Sequence, residues 1–179
     1  LGLLDGVLDY AKLEADAERG EISAFTPAAI TEEVMNLLQP LAVRKGLSVT
    51  ADVSHDTLQG SPLLLKQVLF NLVGNALKFT ETGGVEITSD IQHAGASGAS
   101  LVLTVRDSGI GIPEHLHAKI FYEFTQAERE LSRKYEGTGL GLAIVSKLVK
   151  VMKGEVSVQS TPGAGATFTV VVPVTRGGK

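Results

Sequence analysis

Pro62-Leu-Leu-Leu-Lys-Gln-Val-Leu-Phe-Asn71-Leu-Val-Gly-Asn75-Ala-Leu-Lys78-Phe79-Thr80 is the stretch on which the reading of this chain turns. A proline suits the first position of a helix, and Leu65, Leu69, Leu72, Ala76 and Phe79 recur behind it at helical spacing. Those residues account for a helix with one face in a core. They do not account for Asn71, Asn75 and Lys78, which fall at i, i+4 and i+7 and project together from a neighbouring face. Two amides and one ammonium in register offer a carbonyl oxygen to a hard cation and donors to phosphate oxygens. Taken alone, the same stripe also describes a solvated polar face.

Working outward, Glu21 to Phe25 reads as a short strand. Thr26-Pro27 puts a capping hydroxyl before a proline at the first helical position, and Ile30, Val34, Leu37, Leu38 and Leu41 follow at helical spacing to about Lys45, with Gly46 as the stop. Leu47 to Val53 alternates as a strand. Beyond the asparagine helix, strands at about Gly84 to Ile91 and Leu101 to Asp107 flank Gln92-His-Ala-Gly-Ala-Ser-Gly-Ala-Ser100, small and flexible enough for a hairpin loop. Pro113 opens a short helix, and Thr125 to Glu136 is charged and has no apolar period. A third long helix at about Leu140 to Met152 precedes strands Glu155 to Ser160 and Ala166 to Pro173. Three main helices and about five strands in this order predict a two-layer α/β sandwich, with the helices on one face of a mixed sheet.

At the other end, Leu1, Leu4, Leu8, Ala11 and Ala15 follow the 3-4-3-4 spacing of a coiled-coil seam, and Leu3, Val7 and Tyr10 form a second stripe beside it. Two apolar flanks suit a helix inside a bundle. Residues 1–19 are therefore read as the end of a bundle helix with Gly20 as the junction, 20–173 as the main domain and 174–179 as a linker or tail. The first residue, Leu1 and not Met, points to an excised fragment.

Composition narrows the function. The 179 residues hold 16 Lys+Arg against 20 Asp+Glu, a net charge of −4, and no cysteine. Disulfides, thiol nucleophiles and Cys-ligated metals are excluded, and the acidic balance argues against nucleic acid as a partner. The longest uncharged run, Val156 to Thr175, contains Pro162, Gly163 and Gly165 and alternates like strands, so no direct membrane contact is expected. His55, His93, His115 and His117 read as surface residues, the last two facing different ways on a short helix.

Two more constellations carry chemistry. Asp107-Ser-Gly109-Ile-Gly111-Ile112-Pro113 stands at the C-terminal end of an expected strand, where a carboxylate can accept from an exocyclic amine and the glycines let backbone approach a flat ligand; it is also ordinary turn sequence. Gly137-Thr138-Gly139-Leu140-Gly141-Leu142 leads straight into a helix, where free N–H groups and the positive dipole end favour phosphates; the bland alternative is a glycine-rich hinge. It matches neither the Rossmann fingerprint nor the G-x-x-x-x-G-K-[ST] loop.

In order and at these separations, Asn71-Leu-Val-Gly-Asn75-Ala-Leu-Lys78-Phe79-Thr80, Asp107-Ser-Gly-Ile-Gly111, Phe121-Tyr-Glu-Phe124 and Gly137-Thr-Gly-Leu-Gly-Leu142 resemble the ATP-binding catalytic domain of two-component sensor histidine kinases, within the Bergerat-fold ATPases. The resemblance runs from the N-terminal helix tail to Pro173. It implies that Asn75 ligates Mg2+, that Asn71 and Lys78 contact the phosphate side of ATP, and that Phe79 walls the adenine. It implies that Asp107 takes the adenine amino group, supported by Thr167, and that Gly109, Gly111 and Ile112 line the same loop. Phe121 and Phe124 would hinge a lid, Arg133 or Lys134 would reach the terminal phosphates, and Gly137, Thr138, Gly139, Leu140, Gly141 and Leu142 would cradle them. The implied reaction moves the γ-phosphate to a histidine on an upstream helical bundle, for relay to the receiver domain of a response regulator, in a homodimeric and cytoplasmic parent whose membrane anchoring stays open.

The departures bear on the reaction. No His-Glu or His-Asp pair occurs, so the acceptor histidine is expected upstream. Tyr122-Glu123 interrupts the phenylalanine pair, and Ser61-Pro62-Leu63-Leu64 replaces the Asp-Pro and basic residue common in the family. Two other readings stay open: a regulatory nucleotide-binding module, and a conformational ATPase of the gyrase and chaperone kind. The latter has a glutamate where this chain has Asn71, and an amide cannot take a proton from water.

Overall fold

The computed structural model describes residues 20–96, 98–122 and 141–177. Residues 1–19, read as the bundle helix, and 123–140, which contain Phe124, Arg133, Lys134, Gly137, Thr138, Gly139 and Leu140, lie outside the described residues, as do Ser97 and 178–179.

Strand β1 is Ser23–Phe25 and helix α1 is Pro27–Lys45. The Thr26 hydroxyl accepts the Ala29 N–H at 3.1 Å, and Pro27 takes the first helical position. At the other end Gly46 sits at φ 65°, its N–H donating to Val43, while Leu47 donates to Ala42 and buries its side chain. This is the paired-bond glycine cap with its apolar contact. Strands β2 (Ser48–Asp52) and β3 (Leu58–Gly60) lead to α2 (Pro62–Phe79), then β4 (Gly84–Ala94) and β5 (Gly98–Asp107). Two single 3-10 turns, Glu114–Leu116 and Lys119–Phe121, precede α3 (Gly141–Val151), β6 (Glu155–Ser160) and β7 (Ala166–Arg176).

The strands form one seven-stranded mixed sheet in the order β1-β3-β7-β5-β4-β2, with β6 also paired to β7. β2 runs parallel to β4, and the other pairs are antiparallel. Period two sorts the side chains: Leu101, Leu103, Val105, Phe168, Val170 and Val172 are buried beneath the helices, and Thr104, Arg106, Thr167 and Thr169 face the opposite side. The core is closed by α2, which packs on both α1 and α3 and buries Leu64, Leu65, Val68, Leu69, Leu72, Val73, Ala76 and Leu77. Each such leucine adds about 2 kcal/mol of hydrophobic stabilisation. One long cation links the helices: Lys45 Nζ donates to the Leu77 and Lys78 carbonyls at the C-terminal end of α2.

The expected sandwich is present, with differences that have physical causes. β3 has only three residues and is held by partners far along the chain, Ser23–Phe25 and Thr175–Arg176, so no local period announces it. The β4–β5 ladder continues to the pair Ala94 and Gly98, consuming most of the stretch read as a loop. Val174 to Arg176 are not tail: they complete β7 against β5 and β3. After Pro113 the chain makes 3-10 turns in place of a helix.

Candidate functional site

Asp107 ends β5 on the helix-facing side of the sheet, only 8% exposed. Its Oδ1 accepts the N–H of Gly109 at 2.8 Å and that of Ala166 at 3.3 Å. With both bonds on Oδ1, Oδ2 is the acceptor left for a ligand. Burial pushes the carboxyl above the ordinary carboxylate range, and the two backbone bonds pull it partly back. A buried, one-sided acceptor of this kind selects a donor such as an exocyclic amine.

The loop after Asp107 is braced on three sides. Ile110 donates to the Phe79 carbonyl at 3.2 Å, tying it to the last residue of α2. Ser108 Oγ accepts the Gly84 N–H and donates to the Thr82 carbonyl, each at 3.0 Å. Ser160 Oγ accepts the Ile112 N–H and donates to the Gly165 carbonyl, each at 2.7 Å. Gly111 lies at φ 72°, where a methyl group would come 2.1 Å from the Thr161 carbonyl oxygen, so only glycine fits.

From this corner the polar stripe runs back along α2. Lys78 Nζ stands 5.1 Å from the centre of the Phe79 ring. Asn71 and Asn75 face the start of α3: a methyl group on Gly141 would lie 3.4 Å from Asn75 Nδ2 and 3.6 Å from Asn71 Oδ1. The first-turn N–H groups of α3 and two side-chain amides thus converge on one place, a donor set suited to phosphate with a cation on the amide oxygens. One N–H of Asn71 Nδ2 donates to the Gln67 carbonyl at 2.9 Å, and its Oδ1 is turned toward α3.

The structure therefore brings together Asn71, Asn75, Lys78, Phe79, Asp107, Gly109, Gly111 and Gly141. Ile112 and Leu142 are buried in the core beside them, and Phe121 packs edge-on to Phe168 with ring centres 6.2 Å apart. Thr167 is a correction. It pairs with Arg106, while Ala166 pairs with Asp107, so period two sends the Thr167 side chain to the far face of the sheet. There it lines an open groove of about 480 Å³ with Glu86, Thr88 and Arg106. His117 is a second correction: it is half-buried, and Nε2 lies 2.8 Å from the Ile112 carbonyl, a bond that requires the proton on Nε2. Sequence reasoning missed Ser108, Ser160 and Lys45, each of which has a partner more than 20 residues away in sequence. Among the described residues no His/Cys/Asp/Glu cluster could hold a metal, so a cation here would rest on amide oxygens and phosphate.

A buried carboxylate bonded on one oxygen only, a glycine-braced loop and amides meeting a helix N-terminus are the features of a nucleotide-binding α/β module. Residues 60–176 match the family described as histidine kinase-, DNA gyrase B-, and HSP90-like ATPase, and the chain belongs to that family as an ATP-binding catalytic module. It is 40% identical over 171 residues to the signal transduction histidine-protein kinase BarA of Escherichia coli K12, covering 94% of this chain and 19% of that protein. To the sensor histidine kinase RcsC of the same organism it is 38% identical over 177 residues, covering 97% of this chain and 18% of RcsC. The crystal structure of full-length ShkA in complex with AMPPNP superposes with a TM-score of 0.84 at 34% identity, covering 99% of this chain and 36% of that one. The chain thus spans about a fifth of the length of the curated relatives it matches. Among the described residues no helix is long and apolar enough to cross a membrane.

Proposed function

We propose that this chain binds Mg-ATP and transfers the γ-phosphate to a histidine on a helical bundle upstream of it, in a homodimeric, cytoplasmic sensor kinase that passes the phosphate to a response regulator. The observation that carries the reading is the convergence of Asn71 and Asn75 on the first residue of α3, one helix away from the buried Asp107 acceptor. Asp107 Oδ2 takes the adenine amine, Phe79 covers the base, and the α3 N-terminus with Lys78 neutralises the phosphates. A magnesium ion would be held by the Asn75 oxygen and would spread the charge that builds on the phosphates during transfer. Phe124 would hinge a lid with Phe121, Arg133 or Lys134 would reach the terminal phosphates, and residues 137–140 would cradle them. In the step itself the bond from the γ-phosphorus to the β–γ bridging oxygen breaks, its electron pair stays on ADP, and the unprotonated imidazole nitrogen bonds to phosphorus while the proton on the other ring nitrogen passes to solvent water. Nothing in the chain needs to act as nucleophile, so catalysis is by positioning and charge neutralisation.

Supplying the chain with the upstream bundle of its parent protein and labelled ATP tests this. Acid-labile, base-stable label should appear on the bundle and fall at least about a hundredfold with Asn75→Ala or Asn75→Asp. Retained transfer in those variants would sink the magnesium role, and no transfer by the wild-type chain would sink the kinase reading.

A further inference from the structure

Gln67 Oε1 is buried and has no hydrogen-bond partner, one of two such side-chain atoms among the described residues. Leaving a buried acceptor unpaired is destabilising, and a leucine or methionine of similar length would avoid it. The position of Gln67 supplies a reason for an amide. It is four residues before Asn71 and eleven before Lys78, so at 3.6 residues per turn the three lie within about 40° of one another on α2. Gln67 is the next member of the polar stripe, about 6 Å along the axis beyond Asn71.

The direction of the stripe fixes what this member meets. The base end is marked by Asp107 and by the Phe79 carbonyl that receives the Ile110 N–H. Asn75 and Asn71 follow toward the helix N-terminus, against Gly141. A polyphosphate leaving the base along this path reaches its last phosphate at the turn holding Asn71 and Gln67. Asn71 spends one of its two Nδ2 hydrogens on the Gln67 carbonyl at 2.9 Å and turns its Oδ1 toward Gly141. Gln67 turns the other way: with Oε1 buried, its amide nitrogen is the outer pole of a half-buried side chain.

We propose that Gln67 Nε2 donates to the terminal phosphate of the bound nucleoside triphosphate, so that this residue tells triphosphate from diphosphate and positions the transferable group. The proposal rests on the ATP reading above. It divides the stripe by role: Lys78 and Gln67 supply donors to the anion, and Asn71 and Asn75 supply oxygens to the cation side.

The test is the affinity of the chain for ADP and for AMPPNP, both with magnesium, in wild type, Gln67→Met and Gln67→Glu, with thermal melting as the control for folding. The methionine should leave ADP binding unchanged and reduce the preference for AMPPNP about tenfold, the scale of one charge-assisted hydrogen bond. The glutamate has the same shape, no donor and a negative charge, and should reduce that preference at least as far. An unchanged preference in Gln67→Met, equal losses for the two nucleotides, or a wild-type preference in Gln67→Glu would overturn the proposal while leaving the ATP reading intact. Wild-type chain that binds neither nucleotide would overturn both.

Discussion

The hydroxyl of Ser160 accepts the backbone N–H of Ile112 at 2.7 Å, joining the end of β6 to the loop after Asp107 across 48 residues of sequence. Because the same oxygen donates to the Gly165 carbonyl at 2.7 Å, one side chain holds both the loop that would face the base and the turn leading into β7. Ser160→Ala leaves an N–H and a carbonyl short of a partner, which costs about 1–3 kcal/mol. A fall in melting temperature of about 3–9 °C is expected, with weaker nucleotide binding by calorimetry. Unchanged affinity at reduced stability would mean that the bracing is purely structural.

Asp107→Asn separates the cost of the site from its use. The Asp107 carboxyl titrates above its ordinary range because burial disfavours the charge. Relative to a neutral amide, the native group is therefore at no disadvantage below the unfolded-state value, and that parity is lost as pH rises through the raised folded-state value. Asparagine can still accept at Oδ1 from Gly109 and Ala166. The variant without nucleotide should thus melt at or above wild type at pH 7, with the difference vanishing toward pH 3. Its adenine nucleotide binding should be lost, since the free pole of the amide becomes a donor facing a donor. A lower melting temperature at pH 7 would mean that the backbone bonds to the charge outweigh its burial.

How far the sequence carries depends on whether the governing interaction is local. The helix Pro62–Phe79 was legible end to end because a proline start, an apolar period and a change of residue type after Phe79 all lie within it. Glu155–Ser160 was legible by alternation. Thr167 was not, since its face depends on pairing with Arg106, a register set by the whole β5–β7 ladder. β3 escaped for the same reason, being a strand only by virtue of its partners. The residue types of the asparagine stripe marked the candidate site, but which pole of Asn71 faces α3 depends on one bond to the Gln67 carbonyl that no pattern announces.

Two glycines at nearly the same backbone angle should respond very differently to alanine. Gly46 at φ 65° has open space where a methyl group would go, so Gly46→Ala carries only the left-handed strain, about 1 kcal/mol. Gly111 at φ 72° adds an overlap with the Thr161 carbonyl oxygen at 2.1 Å and close approaches to Thr161 C and Pro162 Cα at 2.8 and 3.0 Å. Gly111→Ala should cost about 3 kcal/mol or more and shift nucleotide affinity as well. Urea melts of both variants decide it, and equal losses would mean that the Thr161–Pro162 turn gives way freely.

Two lysines in the helical layer look alike in sequence and differ in what they hold. Lys66 reaches Glu33 at 2.8 Å, but both side chains are substantially exposed, at 39% and 59%, and a pair so placed adds about 0–1 kcal/mol. Lys45 instead donates to the Leu77 and Lys78 carbonyls, groups at the end of α2 that have no partner within the helix and sit at its negative dipole end. Lys45→Met keeps the aliphatic stem and removes those bonds. It should cost about 1–2 kcal/mol, a drop of about 3–8 °C in melting temperature, against about 4 °C or less for Lys66→Met. Because the loosened residues adjoin Phe79, whose carbonyl receives Ile110, Lys45→Met should also weaken nucleotide binding measurably, and Lys66→Met should not. Equal thermal shifts in the two variants would mean that α1 contributes to the site only through its apolar face.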